Sequence, residues 1–413
     1  MEIPQDNMQG MNTAFGSSER SSLGTPPGGR ELFVTRPSMP SLEEYLTEIA
    51  PLWDSCILTN SGEKHEAFEL ALRQDTGVQD CVLFANGHLA LEATLLALNL
   101  SGEVITTPFT FASTTHAIVR AGLIPVMCDV RASDGTLDPA CLEPLITERT
   151  CAILPVHVYG NLCDVEAIQR IADRHGLKVV YDAAHAFGER LDGASVMSYG
   201  DASMLSFHAT KVFNSVEGGA VCVPRDSNLG GRLRLLRNFG IADYEAVDSV
   251  GFNAKMSELH AAMGLCNLRH VEEDIEHRKR AYERYRERLE RIEGIRFISG
   301  PAVSMATSNY AYLALVIEDD FGMTRDNLHE ALSHWGIHAR KYFYPCTNSY
   351  ACYQGILDPA ATPVAQALSQ RVLCLPLFSD MTAEQVDYVC DAINEAAAGS
   401  SLHGHSTDEG LPR

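Results

Sequence analysis

Residues 151–185 read CAILPVHVYGNLCDVEAIQRIADRHGLKVVYDAAH. A strand-like run, Cys151–Val156, gives way to a helix-like stretch, Val165–His175, and then to a second strand-like run, Leu177–Asp182. Short apolar runs separated by a helix of about ten residues mark a β-α-β unit with parallel strands. The same alternation runs upstream through helix-like Leu89–Leu100, strand-like Glu103–Thr107, helix-like Ala112–Ala121, strand-like Ile124–Asp129 and helix-like Asp138–Ile146. Two more strand-like runs, Ala202–Phe207 and Gly219–Val223, follow downstream. The expectation is an α/β protein with a mostly parallel sheet in a large domain, residues 31–260. After Lys255 the pattern predicts a long charged helix through about Glu293, with Glu and Arg spaced for i,i+4 pairing. Strand-like Ala311–Ile317, helix-like Arg325–Trp335, strand-like Val372–Leu375 and helix-like Ala383–Ala398 then predict a smaller α+β domain, residues 261–399.

Composition bounds the function. Of 413 residues 46% are hydrophobic and 21% charged, the balance of a chain that buries a core. Its 31 glycines and 18 prolines exclude a collagen-like or wholly disordered chain. No apolar run reaches the roughly 18–20 residues that cross a bilayer, and the start, MEIPQD, lacks the basic and apolar regions of a secretory signal. A cytoplasmic location is therefore expected. Lys and Arg number 32 against 54 Asp and Glu, a net charge of −22 with no basic patch, so neither nucleic acid nor membrane is an expected partner. Twelve cysteines scatter from Cys56 to Cys390 without a Cys-x-x-Cys pair, which reads as reduced thiols rather than a disulfide framework or a metal site. Residues 1–30 read as a flexible leader and 400–413 as a disordered tail.

In open parallel sheets ligands bind beyond the carboxyl ends of the strands, so polar residues there carry the chemistry. Asp182 closes the run KVVYD; a carboxylate there needs a cation or hydrogen-bond donors, and capping the next segment is its plain reading. Lys211 follows the run ending SFHAT, ahead of Glu217-Gly218-Gly219. Most lysines are solvated, but one among small and apolar residues can lose its proton readily enough to form a Schiff base. Asn86-Gly87-His88 precedes a strong helix, either an ordinary helix start or an anion cradle made of amides and the helix terminus. Ser206 stands where a hydroxyl would reach the same anion, and the rings of Pro108-Phe109-Thr110-Phe111 are either core or a platform for a flat cofactor. Together these pieces fit a pyridoxal-phosphate site, with Lys211 as the Schiff-base lysine and Asp182 as partner of the pyridinium nitrogen.

These motifs resemble those of the DegT/StrS family of pyridoxal-phosphate-dependent nucleotide-sugar aminotransferases. The resemblance runs from about Asn60 to Pro376 and rests on Asn86-Gly87, Thr107-Pro108-Phe109-Thr110-Phe111, PVHVYG at 155–160, DAAH at 182–185, SFHATK at 206–211, Gly218-Gly219-Ala220, RNFG at 237–240 and GFNAKMSE at 251–258. It implies the type I, aspartate aminotransferase-like fold of pyridoxal-phosphate-dependent transferases and a homodimer with shared active sites. Lys211 would bond the cofactor and move the proton, and Asp182 would face the ring nitrogen. Phe111 and Ala184 would cover the two ring faces. Gly87, His88 and Ser206 would hold the phosphate, with Asn253 reaching in from the partner subunit. His185 falls where many relatives have a Gln against the cofactor's 3-hydroxyl, and His88 where many have Thr.

A lysine at 211 separates this chain from relatives that carry His there and act as sugar dehydratases. The resemblance implies an amino-acid donor, L-glutamate, and a nucleotide-linked keto sugar as acceptor. FHATKVFN at 207–214 and ARKYFYP at 339–345 resemble the branch that converts dTDP-4-keto-6-deoxy-D-glucose to dTDP-4-amino-4,6-dideoxy-D-glucose, in deoxyaminosugar and antibiotic pathways. Arg340, Tyr342, Tyr344, Thr59 and Asn60 are then the expected substrate contacts. Amination at C3 of a dTDP-3-keto-6-deoxyhexose, a cofactor-binding regulatory protein and a structural protein without activity remain as alternatives.

Overall fold

In the computed structural model, which describes residues 26–29, 31–298 and 306–403, seven strands form one sheet. They are β1 (Asp80–Phe84), β2 (Glu103–Thr106), β3 (Ile124–Met127), β4 (Thr150–Leu154), β5 (Lys178–Asp182), β6 (Ala202–Ser206) and β7 (Gly219–Val223), in the spatial order β1-β7-β6-β5-β4-β2-β3. Every neighbouring pair from β6 across to β3 is parallel; β7 alone runs antiparallel, to both β6 and β1. The sheet is therefore mostly parallel, as the alternation predicts. Residues 1–25, 30 and 404–413, which hold most of the expected leader and tail, lie outside the described residues.

Period-two alternation puts each strand's apolar residues on both faces, as a sheet covered by helices on two sides requires. Cys81, Leu83, Ile105, Ile153, Val179, Tyr181 and Leu205 pack one side, with Phe68 and Leu72 of α1 (Glu63–Thr76). Val82, Phe84, Val104, Ala152, Leu154, Val180 and Met204 pack the other, with Ala90 and Leu91 of α2 (Gly87–Ala97). Helices α3 (Ala112–Arg120), α4 (Val165–His175) and α5 (Ser227–Arg237) complete the layers. Asp164 caps α4 by accepting the Ala167 N–H at 2.9 Å, and Gly176, at φ +67°, lets the chain leave it in the left-handed region.

Two expectations need correction. Residues 138–146 form two short 3₁₀ turns, Pro139–Cys141 and Glu143–Leu145, because Pro139 and Pro144 remove amide donors and Pro144 would collide with the preceding turn of an α-helix. The long helix after Lys255 is two helices, α6 (Glu258–Leu268) and α7 (Val271–Leu289). They part at Arg269 and His270, whose side chains pair with Glu44 and Glu48 of the helix Leu42–Ile49. Beyond them a three-stranded antiparallel sheet, β8 (Ile295–Phe297), β9 (Leu313–Ile317) and β10 (Val372–Leu375), has its own apolar cluster with α7, α8 (Arg325–His334) and α10 (Ala383–His403). Helix α9 (Pro363–Arg371) packs beside it and is tied to the large sheet by Asp129, which accepts the Val364 and Ala365 N–H groups at 3.0 and 2.8 Å.

Candidate active site

The carboxyl ends of β5 and β6, the start of α2 and the start of α3 open onto one cavity of about 570 Å³. Lys211, Asp182, Gly87, His88, Phe111, Ala184, His185, Ser206 and Tyr342 all line it, so most of the residues singled out between positions 87 and 342 meet in one place.

Asp182 ends β5 and is 4% exposed. Its Oδ2 accepts the Thr114 hydroxyl at 2.7 Å and its Oδ1 the Ala184 N–H at 3.1 Å. Burial pushes the carboxyl above its ordinary range, and the two donors and the Lys211 charge work against that rise. Lys211 sits in the turn after β6, its N–H donated to the His208 carbonyl at 2.9 Å. Desolvation pulls its ammonium down to about 8, with the Asp182 charge opposing the fall. A lysine so placed holds far more of the neutral, nucleophilic form near neutral pH than an ordinary lysine does.

His185 is held in a defined state. Its Nδ1 accepts the Tyr159 N–H at 3.0 Å, so a neutral ring carries its proton on Nε2. Burial and the nearby Lys211 charge keep its pKa well below the ordinary histidine value. The Tyr159 amide reaches it because Val158–Gly160 turns with Tyr159 at φ 60° and Gly160 at φ 90°. A side chain at 160 would meet Asn309 Oδ1 at 2.8 Å and Glu189 Oε1 at 3.0 Å, so glycine is required there. Tyr312 tilts against the His185 ring with centroids 4.8 Å apart, and Phe343 lies parallel to it at 6.0 Å.

At the other end of the cavity, Asn86 Oδ1 accepts the Leu89 N–H at 2.9 Å and caps α2, leaving the Gly87 and His88 amides for an anion. The backbone is crowded there: a Cβ on Gly87 would sit 3.0 Å from Met204 Sδ and Ser206 Cβ, and one on Gly219 would sit 2.6 Å from the Gly87 nitrogen. His88 turns its Nδ1 to the Ser113 hydroxyl at 2.9 Å, with Glu92 3.9 Å from its Nε2. Phe111 is 61% exposed, so much of its ring is open to the cavity.

These groups fit pyridoxal phosphate. A buried carboxylate, an ammonium of lowered pKa, a neutral N–H donor, an open aromatic face and a glycine-lined helix start surround one space, and each answers a different part of that molecule. Bound there, the cofactor supplies an aldehyde that condenses with amines and a pyridinium ring that takes up electrons from a broken C–H bond.

Five expected residues stand apart from this cavity in the single chain. Arg340 and Tyr344 are exposed and do not line it; the Arg325 guanidinium lies 4.9 Å from the Tyr344 ring centre. Thr59 and Asn60 are exposed on the loop before α1, Asn60 at φ 66°. Asn253 is exposed and accepts a hydrogen bond from Lys255. Sequence reasoning in turn passed over Thr110 and Thr114, whose hydroxyls lie 2.8 Å apart in a buried chain leading to Asp182, and over Tyr312 and Phe343. The only local signal for Thr114 was its place one turn into the helix that Phe111 opens.

Residues 41–394 match the family model described as the DegT/DnrJ/EryC1/StrS aminotransferase family. The dTDP-4-amino-4,6-dideoxy-D-glucose transaminase of Shigella dysenteriae is 40% identical over 368 residues, 89% of this chain and 99% of that protein. Its Escherichia coli counterpart is 41% identical over 356 residues, 86% and 95% of the two chains. Among solved structures, that of DesI in the presence of its TDP-sugar product superposes with a TM-score of 0.86 at 34% identity, covering 93% of this chain and 98% of that one. The chain belongs to the DegT/DnrJ/EryC1/StrS aminotransferase family and is a pyridoxal-phosphate-dependent aminotransferase of the type I fold.

Proposed function

We propose that this enzyme moves an amino group from L-glutamate to C4 of dTDP-4-keto-6-deoxy-D-glucose, giving dTDP-4-amino-4,6-dideoxy-D-glucose. It does so as a cytoplasmic homodimer with shared active sites. One observation carries the reaction class: Lys211 and Asp182 share a single cavity that a cofactor-sized ring can fill. The choice of C4 is supported by two relatives of 40% and 41% identity that bear the name of that transaminase.

In this reading Asp182 keeps the proton on the ring nitrogen, and Thr114 and the Ala184 amide keep Asp182 ionised despite its burial. Lys211 Nζ would take the proton from the donor's Cα and return it to the carbon on the far side of the amino nitrogen, a 1,3 shift; in the second half-reaction the same amine would work in reverse on the sugar. His185 would donate its Nε2–H to the cofactor's 3-oxygen, Phe111 and Ala184 would cover the two ring faces, and Gly87, His88 and Ser206 would hold the phosphate. Asn253 completes the phosphate site of the other protomer. Tyr342 borders the sugar's space from its own chain, and Arg340, Tyr344, Thr59 and Asn60 meet the nucleotide sugar in the assembled dimer. Residues 31–260 form the large cofactor-binding domain and 261–399 the small one.

The test is product analysis. Incubation with L-glutamate and dTDP-4-keto-6-deoxy-D-glucose should give a product whose NMR spectrum carries the new amine on C4. An amine on C3 of a 3-keto substrate, with no turnover of the 4-keto sugar, contradicts the assignment; a bound cofactor unmoved by any amino acid contradicts the enzyme's proposed donor step.

A further inference from the structure

Outside the cavity, one cluster of polar side chains is arranged as a receptor without a ligand of its own. Lys255 Nζ donates to Asn238 Oδ1 and to Asn253 Oδ1, both at 2.9 Å, and lies 4.8 Å from the centre of the Phe239 ring. An ammonium can only donate, so it dictates which way each carboxamide points. The oxygens turn to Lys255 and the amide N–H groups turn away from it. Asn253 and Phe239 are exposed, and Lys255 and Asn238 are half-buried. In a chain with 54 acidic against 32 basic residues, this ammonium takes part in no ion pair among the described residues; neutral amides and an aromatic face hold it. Desolvation and the nearby Arg237 lower its pKa; Arg237 itself is paired with Glu69 at 2.8 Å, whereas Lys255 has no carboxylate partner among the described residues. The adjoining hairpin, Ile241–Asp243 with Ala246–Val247, and the loop after it expose Ile241, Tyr244, Val247 and Val250, an apolar rim beside the cluster.

We propose that Lys255 is a positioning residue that aims the carboxamides of Asn238 and Asn253, and adds its own charge, toward a phosphate-bearing ligand in the active-site cavity of a second copy of the chain. This rests on the shared-site reading of Asn253 given above. A carboxamide free to rotate offers an anion its oxygen as readily as its N–H; one fixed by an ammonium offers donors only. The shared chemistry is a phosphate group, which two ligands of the reaction carry: the cofactor's monoester and the sugar nucleotide's diphosphate.

The experiment uses the full chain and the variants K255M, K255R, N238A and N253A, each checked for assembly by sedimentation. Affinities are measured for pyridoxal phosphate and for pyridoxal after cofactor removal, and for dTDP by competition in the holoenzyme. If the cofactor's monoester is the ligand, K255M weakens pyridoxal phosphate by at least about tenfold, leaves pyridoxal unchanged, and is rescued by K255R. If the diphosphate is the ligand, the same pattern falls on dTDP. Unchanged affinities in K255M while N253A loses the cofactor overturn the role of Lys255 and leave the shared site standing. No effect in N253A as well, or a monomeric wild-type chain, overturns the shared site itself. A K255M chain that no longer assembles assigns Lys255 to the interface and also overturns the proposal.

Discussion

At the scale of single residues, the account turns on how burial sets proton affinities around Lys211. With its pKa near 8, the neutral amine that attacks an aldehyde becomes the main form above that pH and is scarce below it. Uptake of pyridoxal phosphate by the cofactor-free chain should therefore accelerate with pH and level off above about 8, where an ordinary lysine would still be climbing toward 10. Asp182 opposes the depression, so in Asp182→Asn the midpoint should move below 8; an unchanged midpoint would show that the two side chains do not sense each other. Thr114→Val takes one of two donors from a buried carboxylate. A lost hydrogen bond to a charged group is worth about 1.5–3 kcal/mol, so kcat should fall roughly tenfold to a hundredfold, with the acid limb of the pH profile moved upward and Thr114→Ser restoring both. Asp182 and Lys211 were legible in the sequence because strand ends are where such sheets place their chemistry. Thr114 was not, since its hydrogen bond joins residues 68 apart in sequence and depends on how α3 docks.

At the scale of elements, the phosphate end of the cavity depends on β7 and α2 approaching each other without side chains between them. A methyl group at 219 would lie 2.6 Å from the Gly87 nitrogen and 2.7 Å from the Gly87 Cα, both backbone atoms that cannot swing aside. Gly219→Ala should push the start of α2 from the sheet, lowering stability by about 1–3 kcal/mol and weakening pyridoxal phosphate more than pyridoxal. Equal weakening of both would mean that the α2 amides do not meet the phosphate. Regular elements between Leu89 and Val223 were readable within a few residues because strands buried on both faces and caps such as Asp164 leave local marks. The division between α6 and α7 left none: neither glycine nor proline stands at 268–271, and the partners of Arg269 and His270 at the break, Glu44 and Glu48, are over 200 residues away. Residues 139–146 show the opposite lesson, because Pro139 and Pro144 were visible and outweigh the apolar spacing that suggested a helix.

At the scale of the whole molecule, the interior holds histidines that must stay neutral. His65 is 1% exposed beside Arg237 and Arg234, and burial with those charges brings its pKa to about 4. The unfolded chain protonates this ring near pH 6.5 and the folded one only near 4, so between those values the unfolded state binds more protons and stability falls as pH drops. Each pH unit in that window removes about 1.4 kcal/mol for a fully shifted group. Thermal unfolding followed from pH 7 to 4 should show this slope, and His65→Leu should flatten it; an equally steep loss in the variant would place the acid sensitivity elsewhere. Asn253, Thr59, Asn60, Arg340 and Tyr344 make sense in the proposed dimer, where a neighbouring copy supplies the ligand they would touch.

Borohydride reduction of the cofactor-loaded enzyme, followed by proteolysis and mass spectrometry, tests the central claim most directly. The account predicts one phosphopyridoxyl group per chain, on Lys211, and none in Lys211→Ala of unchanged circular dichroism. A stable adduct on any other lysine of the wild-type chain, or none at all, would contradict it.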